Sequence, residues 1–322
     1  MGKHRGVAVR APKHHSRTEA RGGSDFGAVA SSIGDGTPDT VPVSHASPPA
    51  RRANATVVHS VWFGFDNLVL TAAQALCVVL PAAGVPRFLQ RFRGGWWALV
   101  LPLSIAVVIV AINLLPQSAD VLTWVALLLI PPGCALALGW AMHGARWWLA
   151  PLAAPLLALA WADQTTRAGQ LAATALIVGS CVTLGRLLAG AAPLTLLKLG
   201  LVAMAITDAI LVFGNQLQAP NAVLIAAAPG AGLPQLQSAS FGFASLGYGD
   251  FFAAGVLGGI LALEGRSQLI AAAALLVVSY AWDQLFLVVD TIPATVPPAI
   301  VLIGYECVAH VSGRRRVAVG TS

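Results

Sequence analysis

Five carboxylates stand inside long apolar runs of this 322-residue chain: Asp66, Asp208, Asp250, Asp283 and Glu306, with Asp290 near the end of another run. A charged side chain at the centre of a membrane helix costs about 2.5–3.5 kcal/mol or more, so a chain that keeps several of them needs a reason. Taken singly, each serves equally well as a hydrogen-bonded structural group, a hydrated edge residue or an acid–base group. Asp208 and Asp250 stand apart from the others by depth. Asp208, in Ala205-Ile206-Thr207-Asp208-Ala209, lies about eight residues before its apolar run ends, and Asp250 about eleven after the next begins. At about 1.5 Å per residue these offsets are about 12 and 17 Å from one membrane face, so antiparallel neighbours would bring the two carboxylates together. Two carboxyl groups a few ångströms apart in low dielectric cannot both ionise easily, and such a pair shares a proton. One then takes a proton from a trapped water while the other donates to a carbonyl, chemistry that requires neither a metal nor a covalent nucleophile. The chain contains no HExxH, GxSxG or CxxC pattern.

The elements that must position these groups are membrane helices. The composition is 57% hydrophobic and 10% charged, against about 25% charged in an ordinary soluble domain. Apolar runs of about twenty residues, the length that crosses about 30 Å of hydrocarbon, alternate with turn residues. Nine spans are expected, near 57–83, 95–115, 119–142, 146–162, 168–190, 193–215, 239–263, 267–289 and 292–311. The expected fold class is therefore all-α, a polytopic membrane helix bundle over residues 56–311. Residues 1–55, rich in Gly, Ser, Pro, Ala and Arg, are expected to be a disordered tail without a signal-peptide core, and 312–322 a short basic tail. The uncharged, Pro- and Gly-punctuated stretch from Gln216 to Ser238 is expected to lie at the membrane surface or to fold back into the protein. Arg87, Arg91, Arg93, Arg146 and Arg314 to Arg316 fall on one side, which places the C-terminus in the cytoplasm of a cell membrane, although Arg51 and Arg52 pull the other way.

Small residues surround Asp250. Gly247 and Gly249 precede it, Ala253 and Ala254 follow, and Gly255 and Gly259 have GxxxG spacing, so close helix packing is expected there. Pro293, Pro297 and Pro298 should leave the entrance of the last span irregular, with free carbonyls against which an extended peptide could pair; an ordinary proline kink is the plainer alternative.

Three motifs in order now carry a resemblance. Thr207-Asp208-Ala209-Ile210-Leu211-Val212-Phe213 resembles the YD motif, Gly247-Tyr248-Gly249-Asp250 the GxGD motif, and Pro298-Ala299-Ile300 the PAL motif of presenilins and signal peptide peptidases, as in a prokaryotic-type member of that family. The resemblance implies a presenilin-like fold and an intramembrane aspartyl protease. Asp208 and Asp250 would be its catalytic pair, and Thr207, Gly247, Tyr248, Gly249, Pro298, Ala299 and Ile300 would line the substrate cleft. It implies a transmembrane peptide or signal-peptide remnant as substrate, and no cofactor or metal. Thr207 stands where the family has tyrosine and Ile300 where it has leucine, so the aromatic ring beside the first aspartate is missing.

Other readings stay open. A prepilin-type peptidase would have a lysine after GxGD, where this chain has Phe251 and Phe252. Paired buried carboxylates also bind protons and cations in carriers and channels, although no internal repeat is evident. An inactive scaffold of the same fold is the third alternative. The remaining polar residues have structural explanations. Asp66, Asn67 and Asp283 would hydrogen-bond between helices, Arg186 and Lys198 would extend toward the basic face, and His59, His143 and His310 would sit at span ends. Trp96, Trp97, Trp147 and Trp148 fit an interfacial belt. Cys77, Cys134, Cys181 and Cys307 fall in different runs and suggest no disulfide, and the basic residues lack the aromatic interleaving of a nucleic-acid surface.

Overall fold

The computed structural model describes residues 49–84, 91, 93–115, 117–214, 216, 220, 223–224, 227, 229–230, 232–287 and 292–320, with side chains between 64 and 311. The tail up to residue 48, Arg87, Asp290 and much of the 216–238 linker lie outside the described residues, as do the side chains of Arg51, Arg52, His59 and Arg314 to Arg316.

The protein is mostly helical. Helix α1 spans Pro49–Val79, so it starts ahead of the expected span. It is followed by α2 (Val100–Leu114, entered through a 3-10 turn), α3 (Ser118–Leu136, prolonged by a π turn) and α4 (Ala153–Ala162). Next come α5 (Arg167–Ala191), α6 (Leu194–Phe213), α7 (Tyr248–Glu264), α8 (Gln268–Asp283) and α9 (Val296–Gly320). Among the described residues four stretches, Gly95–Leu114, Ser118–Ala141, Arg167–Ala191 and Leu194–Phe213, are long and apolar enough to cross a membrane. Two helix starts are locally encoded by a polar side chain that takes an orphan N–H: at α5 Thr166 Oγ1 accepts from Gly169 N at 3.3 Å, and at α8 Ser267 Oγ accepts from Ile270 N at 3.3 Å.

Helix α5 is the central member. In its most apolar 18-residue window 67% of residues are buried, against 22–28% for the other three long helices, whose outward faces carry exposed Leu, Val and Trp. Glycines set its contacts. A Cβ on Gly185 would lie 2.2 Å from the Gly255 carbonyl of α7, and one on Gly259 would lie 2.7 Å from the Gly185 carbonyl oxygen. Across α7, a Cβ on Gly258 would come 2.6 Å from the Val78 carbonyl oxygen of α1. Helix α7 is thus sandwiched between α5 and α1 with backbones nearly touching, the arrangement small residues permit when lipid supplies no hydrophobic drive. The expected close packing at Gly255 and Gly259 is present, but their partner is α5 rather than the Asp208 helix, α6, and Gly258 packs against α1.

The main correction to an all-helical seventh span is a β hairpin. Strands β1 (Ser238–Phe241) and β2 (Ala244–Gly247) pair antiparallel, Ser238 opposite Gly247 and Phe241 opposite Ala244. The two-residue loop Gly242-Phe243 needs a left-handed first position, and Gly242 has φ +58°. Ala239, Phe241 and Ala244 point inward against α1 and α5 while Ser240 and Ser245 face out, the period-two alternation of a half-buried ribbon. Helix α7 therefore starts at Tyr248, and Asp250 is its third residue instead of lying about eleven residues along a span.

The described part of the linker folds back onto the protein. Ala227 packs with Ile112 and Ala119, Leu236 is fully buried, and Gln235 Nε2 donates to the Ala227 carbonyl at 3.0 Å. Two expected snorkelling cations instead turn inward. Arg186 is 8% exposed and donates to the carbonyls of Gly84 and Trp140, the latter at 2.5 Å, with its guanidinium 4.0 Å from the Trp140 ring centroid. Lys198 pairs with both Glu264 and Glu306, and Arg266 closes the ring to Glu264 at 3.1 Å and Glu306 at 2.9 Å. This ring joins α6, the end of α7 and α9 at one end of the bundle.

Candidate active site

Asp250 is fixed by the way α7 begins. Gly247, the N-cap, has extended backbone (φ −69°, ψ 153°), and its N–H donates to Asp250 Oδ2 at 3.1 Å. An acidic side chain at N3 reaching back to the N-cap is a favoured start signal, and it also favours negative charge at the helix N-terminus. Tyr248 anchors the same turn. Its hydroxyl is 2.8 Å from Ser180 Oγ of α5, its N–H donates to the Gln237 carbonyl at 3.1 Å, and its own carbonyl accepts from Cys181 Sγ at 3.9 Å. Gly249 brings the turn against α6, since a Cβ there would lie 3.9 Å from Met204 Cε, one helical turn before Asp208.

Asp208 is 9% exposed on α6, one helical turn beyond the Met204 side chain that Gly249 faces, and Asp250 is half-buried at the start of α7. The two aspartates therefore stand on neighbouring helices, Asp208 within α6 and Asp250 in the first turn of α7. The route differs from the expected one: α7 starts beside the middle of α6, because the hairpin replaces the first turns of the expected span.

The segment before α9 completes the site. Thr295, 2% exposed, donates its hydroxyl to Asp208 Oδ2 at 2.6 Å. Gln74 of α1, 3% exposed, donates to the carbonyls of Asp250 at 3.2 Å and Ala294 at 3.4 Å. One side-chain amide thus straps the Asp250 turn to the dipeptide Ala294-Thr295, whose second residue holds Asp208. Trp282 Nε1 fixes the preceding carbonyl, of Pro293, at 3.1 Å. These bonds correct the expectation of free carbonyls in this segment, because those of Pro293 and Ala294 are already taken. Pro297 and Pro298 sit in the first turn of α9, where a missing N–H is not needed, and so act as ordinary helix-start prolines.

Of the other expected cleft residues, Gly247, Tyr248 and Gly249 are in the Asp250 turn, and Pro298 and Ala299 are buried at the start of α9. Ile300 is 40% exposed, and Thr207 is half-buried next to Asp208. It is Thr295, not Thr207, whose hydroxyl reaches the aspartate. Thr295 and Gln74 had no motif to mark them; their only signal was a buried-type position for a polar residue, Thr295 just before the Pro-Pro pair and Gln74 two turns along from Asp66.

Asp283 accepts from Asn67 Nδ2 at 2.5 Å, the interhelical bond expected of it, whereas Asp66 bonds to the hairpin instead of a helix. Cys77, Cys134 and Cys181 are buried free thiols and Cys307 an exposed one. Among the described residues no group of three or more His, Cys, Asp or Glu side chains could hold a metal ion. No family model, curated protein or solved structure matches the chain.

Proposed function

We propose that this chain is a multi-pass cell-membrane protein with a presenilin-like arrangement of nine spans and a cytoplasmic C-terminus. In this reading it hydrolyses peptide bonds inside transmembrane segments or signal-peptide remnants. The observation that supports the proposal is one hydrogen-bonded network that links the two aspartates: Gln74 donates to the carbonyls of Asp250 and Ala294, and the next residue, Thr295, donates its hydroxyl to the Asp208 carboxylate.

The reaction follows from that arrangement. With one proton between them, the ionised carboxylate removes a proton from a water held between the two, and the protonated one donates to the scissile carbonyl as the tetrahedral intermediate forms. Collapse of that intermediate returns a proton to the leaving amine and restores the pair. Thr295 and the Gly247 N–H each occupy one carboxylate oxygen, which orients the two groups without contributing a proton to the chemistry.

The test uses the purified full chain in detergent with a single-span peptide, and mass spectrometry of the products. New termini inside the apolar segment support the proposal. Ion-coupled flux in liposomes without any cleavage would replace it with a carrier.

A further inference from the structure

The turn of the hairpin is held from below by two helices. Asp66 of α1, 1% exposed, accepts from the Phe243 N–H through Oδ2 at 3.0 Å, and Gln170 of α5 accepts from the Gly242 N–H through Oε1 at 3.0 Å. Both amide donors of the two-residue loop are thereby taken by side chains from different elements, where a hairpin loop ordinarily leaves such donors to water. The fit is close. A Cβ on Gly242 would stand 2.0 Å from Asp66 Oδ2, at a φ of +58° that already favours glycine.

From this turn β2 runs without a break into α7, so Phe243 and Asp250 are joined by one strand and the first helical turn. The far end of the ribbon is fixed by the Tyr248 N–H to the Gln237 carbonyl at 3.1 Å. A purely stabilising role fits Asp66 poorly, because its second oxygen, Oδ1, is buried without a hydrogen-bond partner, and a burial left half-satisfied costs stability. What the carboxylate supplies is a fixed point for the turn.

We propose that Asp66 is a positioning residue: it latches the hairpin turn and thereby sets the place of Asp250 relative to Asp208. This rests on the protease reading for its consequence in turnover, but the latch itself has a readout that does not.

The experiment measures hydrogen exchange of the 238–247 segment and kcat and KM for a transmembrane peptide. The proteins are the full-length chain, Asp66→Ala, Asp66→Asn, Gly242→Ala and the Asp66→Ala/Gly242→Ala pair. Asn can still accept from the Phe243 N–H and places its amide where Oδ1 now lacks a partner. Asp66→Ala is expected to raise exchange at the turn about tenfold and to lower kcat about tenfold with KM within about twofold, as for a misplaced catalytic group. Asp66→Asn is expected to stay within about twofold of the parent in all three. Gly242→Ala should match Asp66→Ala, and the double variant should be no worse than either single one, because removing the carboxylate also removes the collision. Unchanged exchange in Asp66→Ala, or Asp66→Asn as impaired as Asp66→Ala, overturns the latch. Raised exchange with unchanged kcat overturns its positioning role. If Asp66→Ala does not assemble, Asp66→Asn and Gly242→Ala decide the matter by the same criteria. Turnover that persists in Asp208→Asn and Asp250→Asn would instead sink the protease reading, while the exchange data would still judge the latch.

Discussion

Removing one hydroxyl should separate catalysis from folding. Thr295→Val keeps the shape of the side chain and deletes the donor that reaches Asp208 Oδ2 at 2.6 Å. Both residues are buried, Thr295 2% and Asp208 9% exposed, so water does not readily replace the lost bond. A hydrogen bond to a charged group contributes about 1.5–3 kcal/mol, and each 1.4 kcal/mol is about tenfold, so kcat should fall about 10- to 150-fold. Thr295→Ser, which keeps the hydroxyl, should recover most of that loss. Initial rates of peptide cleavage over a range of substrate concentration give kcat and KM separately, and the effect should lie in kcat because Thr295 touches the aspartate and not the peptide. If Thr295→Val turned over within twofold of the parent while Asp208→Asn did not, the bond would be incidental to the reaction and the reasoning about how Asp208 is held would be wrong.

Three further outcomes follow from the same geometry. Gln74→Leu cuts the strap between the Asp250 and Ala294 carbonyls and takes the side-chain donor from both, which should lower kcat about tenfold in a steady-state assay. A pair that needs one proton fails on the acid side, where both carboxyls are protonated, and on the alkaline side, where neither is, so the rate should be bell-shaped in pH; a rate flat over several pH units would contradict a shared proton. Gly185→Ala pushes a methyl into the Gly255 carbonyl from a Cβ position only 2.2 Å away, and overpacking of this kind costs about 1–3 kcal/mol, visible as a lower unfolding midpoint in detergent.

The helices were legible because apolar length and turn residues are local signals: α2, α3, α5 and α6 lie close to their expected spans. The hairpin was not, since Ser238-Ala239-Ser240-Phe241-Gly242-Phe243 is apolar enough on average to merge with α7, and only the period-two alternation around a glycine distinguishes it. The two aspartates could be picked out as unpaired charges in apolar runs. Their orienting partners could not, because the contacts that bring Gln74, Thr295 and Asp66 into place join residues far apart in the chain, Gln74 and Ala294 being 220 positions apart. The ring of Lys198, Glu264, Arg266 and Glu306 was hidden for the same reason: Lys198 alone suggested a side chain extending toward the basic face and Glu306 a lone carboxylate in an apolar run.

The cooperation of Asp208 and Asp250 is tested most directly by replacing each with asparagine in the purified full-length chain and measuring cleavage of a membrane-embedded peptide. Asparagine keeps size and shape but can neither accept the proton of the attacking water nor exchange one with its partner. Each single change should abolish detectable product, and the double change should add nothing further. Cleavage surviving at a comparable rate in either single variant would contradict a two-aspartate reaction in this protein.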